Sequence, residues 1–413
     1  MDHFVYKDSE LYAEGVPLSR IAREVGTPVY VYGSAAFEGH LLAFDAAFSR
    51  VPHLVCYSVK VASNLALLAK VAKLSLGADI VSGGELFRAL TAGIPASKIV
   101  YSGVGKTAAE MAEALDAGIL AFNVESAPEL DLLSQIAKDR GRQAPVAFRV
   151  NPDVDPGTHP YVATGLKESK FGVPVEEAFA LYLRAKDDPN VNPMGMDCHI
   201  GSQLTSVTPF ADALSRLKAL LARLREAGLA ISHLDLGGGL GIRYDQETPP
   251  SPAEYAQTIV EGLAGEPVTL ILEPGRVVAG NAGVLVVSVL YDKLTPERRF
   301  LVTDGAMNDL IRPSLYGSHH SIVPVAQTSA EPVKVNVVGP VCESGDFLAK
   351  DRLLPPVPAG GLLAVKSAGA YGFTMSSNYN ARPRAAEVLV EGDAYRVVRA
   401  RETRQDLIRG ETP

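Results

Sequence analysis

The run Cys56-Tyr57-Ser58-Val59-Lys60 is apolar until it ends on a lysine. An unpaired ammonium is costly inside a strand core, so this charge belongs at the strand's carboxyl end, facing a cleft. There a lysine can shed its proton and attack a carbonyl. A lone lysine is more often a snorkelling surface group, so its meaning depends on where the other reactive types fall. His199 and Ser202 follow one apolar run, Gly237-Gly238-Gly239 follows Leu234-Asp235-Leu236, and Glu273-Pro274-Gly275-Arg276 follows another. Glycines lack Cβ atoms and let backbone N–H groups approach an anion closely. A carboxylate such as Glu273 favours the charged form of a nearby base. An amine, an anion cradle and an acid are therefore each offered at the end of an apolar run.

From about residue 53 to 273, short apolar runs alternate with segments of helical period. The runs are His53–Val59, Gly77–Val81, Lys98–Ser102, Ile119–Val124, Pro145–Asn151, Met194–Ile200, Ser232–Leu236 and Val268–Leu272. Thr107-x-x-Glu110 and Ser126-x-x-Glu129 have the form of capping boxes. Eight such alternations match the size of a (β/α)8 TIM-type barrel, with a doubly wound open sheet as the competing fold. After residue 280 the chain turns into short β-rich runs broken by turns, which predicts a C-terminal, mainly antiparallel β-barrel or sandwich domain. Which domain takes the early strand TPVYVYG is open at this level.

Barrel enzymes carry their chemistry at the carboxyl ends of the strands. Those ends here present Lys60, Asp79 with Ser82-Gly83-Gly84-Glu85, Asn123 and Glu125, Arg149 and Asn151, His199 and Ser202, the three glycines, and Glu273 with Arg276. The loops after the last two strands are the usual phosphate site of such a barrel. An amine, a phosphate cup and a carboxylate on one cavity point to pyridoxal 5′-phosphate: Lys60 for the aldehyde, the glycines for the phosphate, Glu273 for the pyridine nitrogen. His199 is placed to stack on the ring.

Composition narrows the class. The chain has 413 residues, 47% hydrophobic and 21% charged, which fits a globular enzyme of two or three domains. A net charge of -8 provides no basic field for nucleic acid. The acidic start MDHFVYKDSELYAEG does not read as a signal or transit peptide, and no apolar run has the length of a membrane span. Cys56, Cys198 and Cys342 are odd in number and far apart, which suits a reducing cytoplasm. They form no zinc spacing, and no metal signature appears.

Eight motifs, CYSVK, DIVSGGEL, HIGSQ, LGGGLG, EPGR, DGAMNDLIRPSLYG, GPVCESGD and GAYGFTMSSNYN, together give a chain that closely resembles the bacterial meso-diaminopimelate decarboxylases. These sit in the alanine-racemase-like (fold type III) group of pyridoxal-phosphate enzymes, in the decarboxylase family that also holds the ornithine decarboxylases. The resemblance runs over nearly the whole length. It implies a pyridoxal-phosphate-binding barrel over 33–279, a β domain from 1–32 and 280–413, and a homodimer with active sites at the subunit interface. By motif, Lys60 resembles the Schiff-base lysine and His199 the ring-stacking residue, while Glu273 resembles the pyridinium partner. Ser202, Gly239, Gly275, Arg276 and Tyr371 resemble phosphate-side contacts, with Asp79 and Gly238 also on the cofactor side. Cys342 resembles the proton donor reaching in from the neighbouring subunit. Arg312 and Tyr316 match binders of the substrate carboxylate and Glu343 a contact to the distal ammonium; Arg276 and Tyr371 also lie on the substrate side. The implied reaction is decarboxylation of meso-2,6-diaminopimelate at its D-centre to L-lysine and carbon dioxide, the last step of lysine biosynthesis. The alternative is the same chemistry on ornithine, lysine, arginine or a carrier-linked glutamate.

The residues support that assignment independently. Arg312 and Tyr316 are four apart, so on a helical turn they share a face. Arginine offers the planar fork that fits a carboxylate. A substrate with an amino acid at each end needs a cation and an anion in its pocket, and Arg312 with Glu343 supplies both. After Tyr316-Gly317 the chain reads Ser318-His319-His320, where the family often has an aromatic residue. The Pro-, Gly- and Asp-rich segment 151–172 is too long for a plain barrel loop and is expected to be a mobile cover over the site.

Overall fold

Parallel strands buried on both faces must either extend as an open sheet or close on themselves, and here they close. In the computed structural model, which describes residues 3–155 and 169–413, eight strands form the ring: β1 (His53–Ser58), β2 (Gly77–Ile80), β3 (Ile99–Tyr101), β4 (Ala121–Val124), β5 (Ala144–Asn151), β6 (Val191–Asp197), β7 (His233–Asp235) and β8 (Thr269–Leu272). Each pairs in parallel with the next, and β8 returns to β1 with Leu270 opposite His53 and Leu272 opposite Val55. That last pairing excludes the open sheet. Inside the ring Cys56, Val100 and Ile271, from three different strands, pack into one apolar layer.

The connecting helices start where the sequence says they should. Thr107 and Glu110 form the full reciprocal capping box of the helix Ala108–Ala117. The second expected box is only half made. Ser126 Oγ accepts from Glu129 N–H, but the Glu129 carboxylate turns away. It accepts from Glu125 N–H at 3.0 Å and from Lys106 Nζ at 2.7 Å. The reason is charge: the Lys106 side chain is wholly buried, and an ammonium there needs an anion more than a helix end needs a second cap. Lys106 also donates to the Gly103 and Asn123 carbonyls, both at the carboxyl ends of β3 and β4.

The chain divides into two compact units, one of residues 41–242 and 248–277 and the other of 1–40, 243–247 and 278–413. The changeovers lie at 40/41, inside the helix Ser34–Ala47, and at 277/278. The second unit is mainly sheet. Its strand Val29–Gly33 lies between Gly283–Leu294, antiparallel with Val29 opposite Val286, and Ala386–Glu391, parallel with Val29 opposite Ala386. TPVYVYG therefore belongs to the β unit. Val29, Val31, Val284, Val286, Val388 and Val390 alternate along these strands and pack into one core. The core of the expected cover, residues 156–168, lies outside the described residues.

Lys106→Met is expected to destabilise the fold by about 3–5 kcal/mol, because it strands Glu129 and two carbonyls in the interior. Denaturant unfolding of the two proteins measures it.

Candidate active site

The barrel brings its reactive groups together at the seam between β8 and β1. Lys60 sits in the turn Val59–Val61 directly after β1, and its Nζ lies 2.5 Å from Asp79 Oδ2 at the buried end of β2. Ser58 Oγ donates to the same aspartate oxygen at 2.7 Å and lies 3.2 Å from the Glu273 carbonyl. Ser58 N–H donates to the Pro274 carbonyl. The amine of one strand end and the acid of the next are thereby tied through one serine.

The glycines do what their lack of a side chain permits. A Cβ on Gly238 would stand 2.3 Å from the Glu273 carbonyl, and one on Gly275 would stand 2.4 Å from Val61 Cγ2. Gly239, in a left-handed conformation, accepts at its carbonyl from Leu204 N–H. Arg276 is buried, and its Nε and Nη2 lie 3.3 and 3.0 Å from Ser202 Oγ. Arg276 and Ser202 thus bring a guanidinium and a hydroxyl together, and Gly238, Gly239 and Gly275 are each packed too closely against neighbouring protein atoms to take a side chain. His199 follows β6, and its Nδ1 accepts from Gly238 N–H at 3.2 Å. Burial, then Arg149 and Lys60, hold its pKa well below the usual histidine range. A neutral ring is what stacking on another ring requires.

Glu273 is buried at the end of β8, and an oxygen of each of Asp197, Asp235 and Glu273 lies within 4.8 Å of the others. Burial, reinforced by Asp235, Asp79 and Asp197 against Lys60, raises the Glu273 pKa well above the carboxylate range. Asp235 is pushed up to about 6 chiefly by burial, and Asp197 rises for the same reason. At an effective dielectric constant of about 20, each pair of ionised groups at that spacing repels by roughly 3 kcal/mol. Arg149 offsets part of this: its guanidinium is 3.2 Å from Glu125 and 3.9 Å from Asp197.

In the β unit, Arg312 opens the short helix Arg312–Tyr316 and is buried. Its guanidinium lies 5.4 Å from the Tyr244 ring, 5.6 Å from Tyr316 and 5.9 Å from Tyr371. Tyr371 holds a left-handed φ of 55°, a strain that persists only where surroundings enforce it. Cys342 is exposed, and its N–H donates to Asn380 Oδ1 at 2.8 Å. Glu343 next to it accepts from the Tyr379 hydroxyl. The Asp346 carboxylate binds Met307 N–H with one oxygen and Val341 N–H with the other, each at 2.7 Å. One carboxylate therefore clamps the turn before Arg312 to the turn that carries Cys342.

The sequence had singled out neither Asp235 nor Asp197 as a functional group, nor Tyr244, Asp346 and Asn380. Asp235 and Asp197 were visible as acids inside otherwise apolar strand runs. Asp346 shares a motif with Cys342, whereas Tyr244 and Asn380 become neighbours of Arg312 and Cys342 only through long-range folding.

The family model described as pyridoxal-dependent decarboxylase, pyridoxal binding domain, matches residues 34–280. A diaminopimelate decarboxylase of Pseudomonas aeruginosa is 54% identical over 412 residues, covering 100% of this chain and 99% of the relative. One of Haemophilus influenzae is 52% identical, covering 98% of both. The crystal structure of diaminopimelate decarboxylase from Helicobacter pylori complexed with L-lysine superposes with a TM-score of 0.92 at 41% identity, over 95% of this chain and 98% of that one.

Gly238→Ala is expected to push the Glu273 carbonyl away and weaken retention of pyridoxal phosphate at least tenfold, about 1.4 kcal/mol. Absorbance titration of the variant with the coenzyme tests this, and unchanged affinity would show that the close approach is not needed.

Proposed function

The chain belongs to the pyridoxal-dependent decarboxylases, alongside the diaminopimelate decarboxylases, and from that premise we propose that it decarboxylates meso-2,6-diaminopimelate at the D-centre, releasing L-lysine and carbon dioxide as the last step of lysine biosynthesis. The observation that carries the choice of substrate is Arg312, buried and ringed by three tyrosines in a chain 54% identical end to end to a diaminopimelate decarboxylase. A simple diamine precursor gives a buried guanidinium nothing to bind; a substrate with a second carboxylate does.

The barrel end fits pyridoxal phosphate by its donor set: an amine beside an aspartate, glycine turns packed too closely for any Cβ, a guanidinium, and a buried acid. When bound, the coenzyme supplies an electron sink for the carbanion left by departing carbon dioxide. Lys60 is the amine that anchors it, and Asp79 holds that ammonium in place until the anchor forms. Arg276, Ser202, Gly239 and Gly275 would hold its phosphate, and Tyr371 is a further phosphate contact by the family resemblance. His199, kept neutral, stacks on the ring without adding a charge that would oppose its protonation. Glu273 would hold the ring nitrogen and favour its protonated form. Arg312 with Tyr316 fixes the carboxylate that is retained, and Glu343 the distal ammonium. Cys342 returns a proton to the substrate carbon after decarboxylation, contributed by the second subunit of a homodimer. The working compartment is the cytoplasm, in keeping with three free cysteines and no helix among the described residues long and apolar enough to cross a membrane.

Carbon dioxide release from a panel of meso-diaminopimelate, lysine, ornithine and arginine tests the reading, and only the first is expected to turn over efficiently. Arg312→Ala should raise KM for meso-diaminopimelate by about 10–100-fold, the loss of a charged hydrogen-bonding pair. Equal turnover of ornithine, or an unchanged KM in the variant, would overturn the assignment. Lys60→Ala should fold yet lose the yellow colour of the bound coenzyme.

A further inference from the structure

Asp235 accepts Gly237 N–H at one carboxylate oxygen, 2.9 Å away. Its other oxygen, Oδ2, is buried, as is Asp197 Oδ1, and the Asn123 side chain also bonds to the Asp235 carboxylate. Yet an oxygen of Asp235 lies within 4.8 Å of one of Glu273, and the two side chains are hydrogen-bonded. Two carboxylate oxygens are both acceptors, so they can rest against each other in a dry interior only with a proton between them. The groups facing Asp235 from the packed elements are Glu273 after β8, Asp197 on β6, Asp79 on β2, Cys56 on β1, Cys198 after β6 and Tyr255 of the helix Pro252–Gly262. All are acids. The neighbouring cations are bonded to others: Lys60 to Asp79 and Arg149 to Glu125.

We infer that Asp235 is a positioning residue that shares one proton with Glu273, fixing the orientation of the acid that meets the coenzyme ring. This rests on the assignment of Glu273 as the ring-nitrogen partner and deepens it. A glutamate wedged among like charges would swing away or be neutralised at random. A partner that gives it a proton on one oxygen leaves the other aimed and able to accept. The arrangement also sets the proton inventory: the proton stays within the pair rather than being drawn from solvent, which has no access to either buried group.

The sign of the pH effect follows. Asp235 is raised to about 6 from an ordinary value of about 4. Both folded carboxyls keep protons that the unfolded chain gives up, and Asp235, the less raised of the two, releases first, leaving one proton between them. The stabilisation is complete below about pH 4 and is lost as pH rises through the folded value, so coenzyme-free protein becomes less stable over that span on account of this group. Asn at 235 still accepts from Gly237 N–H and donates permanently to Glu273, without titrating.

The test compares the full-length chain, free of coenzyme, as wild type, Asp235→Asn and Glu273→Gln, by thermal melting from pH 4 to 8. The expected result is that the midpoint of Asp235→Asn gains on wild type as pH rises. A difference that stays flat across the window overturns the shared proton. With coenzyme, Asp235→Ala should bind it about 10–100-fold more weakly, as for the loss of a hydrogen bond to a charged group, and Asp235→Asn should recover most of that loss. Failure of Asn to rescue also overturns it. If Glu273→Gln binds the coenzyme with wild-type affinity and absorbance while the melting result holds, the ring-partner assignment falls and the shared proton stands.

Discussion

The seam where β8 hydrogen-bonds to β1 is the contact on which the barrel chemistry depends. Lys60 and Glu273 are 213 positions apart by their numbering. They are neighbours only because Leu270, Ile271 and Leu272 pair with His53, Leu54 and Val55. Ser58 then locks the junction, with its backbone to Pro274 and its hydroxyl between Asp79 and the Glu273 carbonyl. A slip of one residue in that register would turn every side chain of β1 to the opposite face. The lysine turn would then leave Asp79.

Once the ring is closed, the interior imposes its own electrostatic problem. Parallel strands ending together deliver Asp79, Asp197, Asp235 and Glu273 to one dry region. Charges there persist only with partners. Lys60 serves Asp79, Arg149 serves Glu125 and stands near Asp197, and Lys106 serves Glu129. This ladder explains why Glu129 abandons its place in a capping box: a buried cation outranks a helix end.

Much of this was legible in the chain. The strand runs appear in the order and near the positions that alternation of apolar and helical segments predicts, since both periodicities are local. Lys60, Glu273 and the three glycines were readable because each breaks its local pattern at a strand end. Arg312 and Tyr316 share a helix face as their spacing requires. The acid pair was harder to see. An aspartate within Leu-Asp-Leu reads the same whether it faces the barrel axis or the helices, and only ring closure decides. Asp346 and Asn380 close two of the quoted motifs, but their role was not readable, for another reason. Their work is done on backbone N–H groups, one five residues away and two on distant turns, and backbone donors carry no sequence signature. The assignment of 243–247 to the β unit is likewise a long-range result: Tyr244 packs against Arg312 and His320.

The Asp346 clamp has a bearing on how such a protein diversifies. Because one carboxylate grips the backbone on both sides, the Arg312 turn and the Cys342 turn form a single mechanical piece. A change that reshapes one turn for a longer or shorter molecule displaces the other with it. New selectivity would then arise through compensating substitutions on both turns, with strong epistasis, rather than through independent single steps.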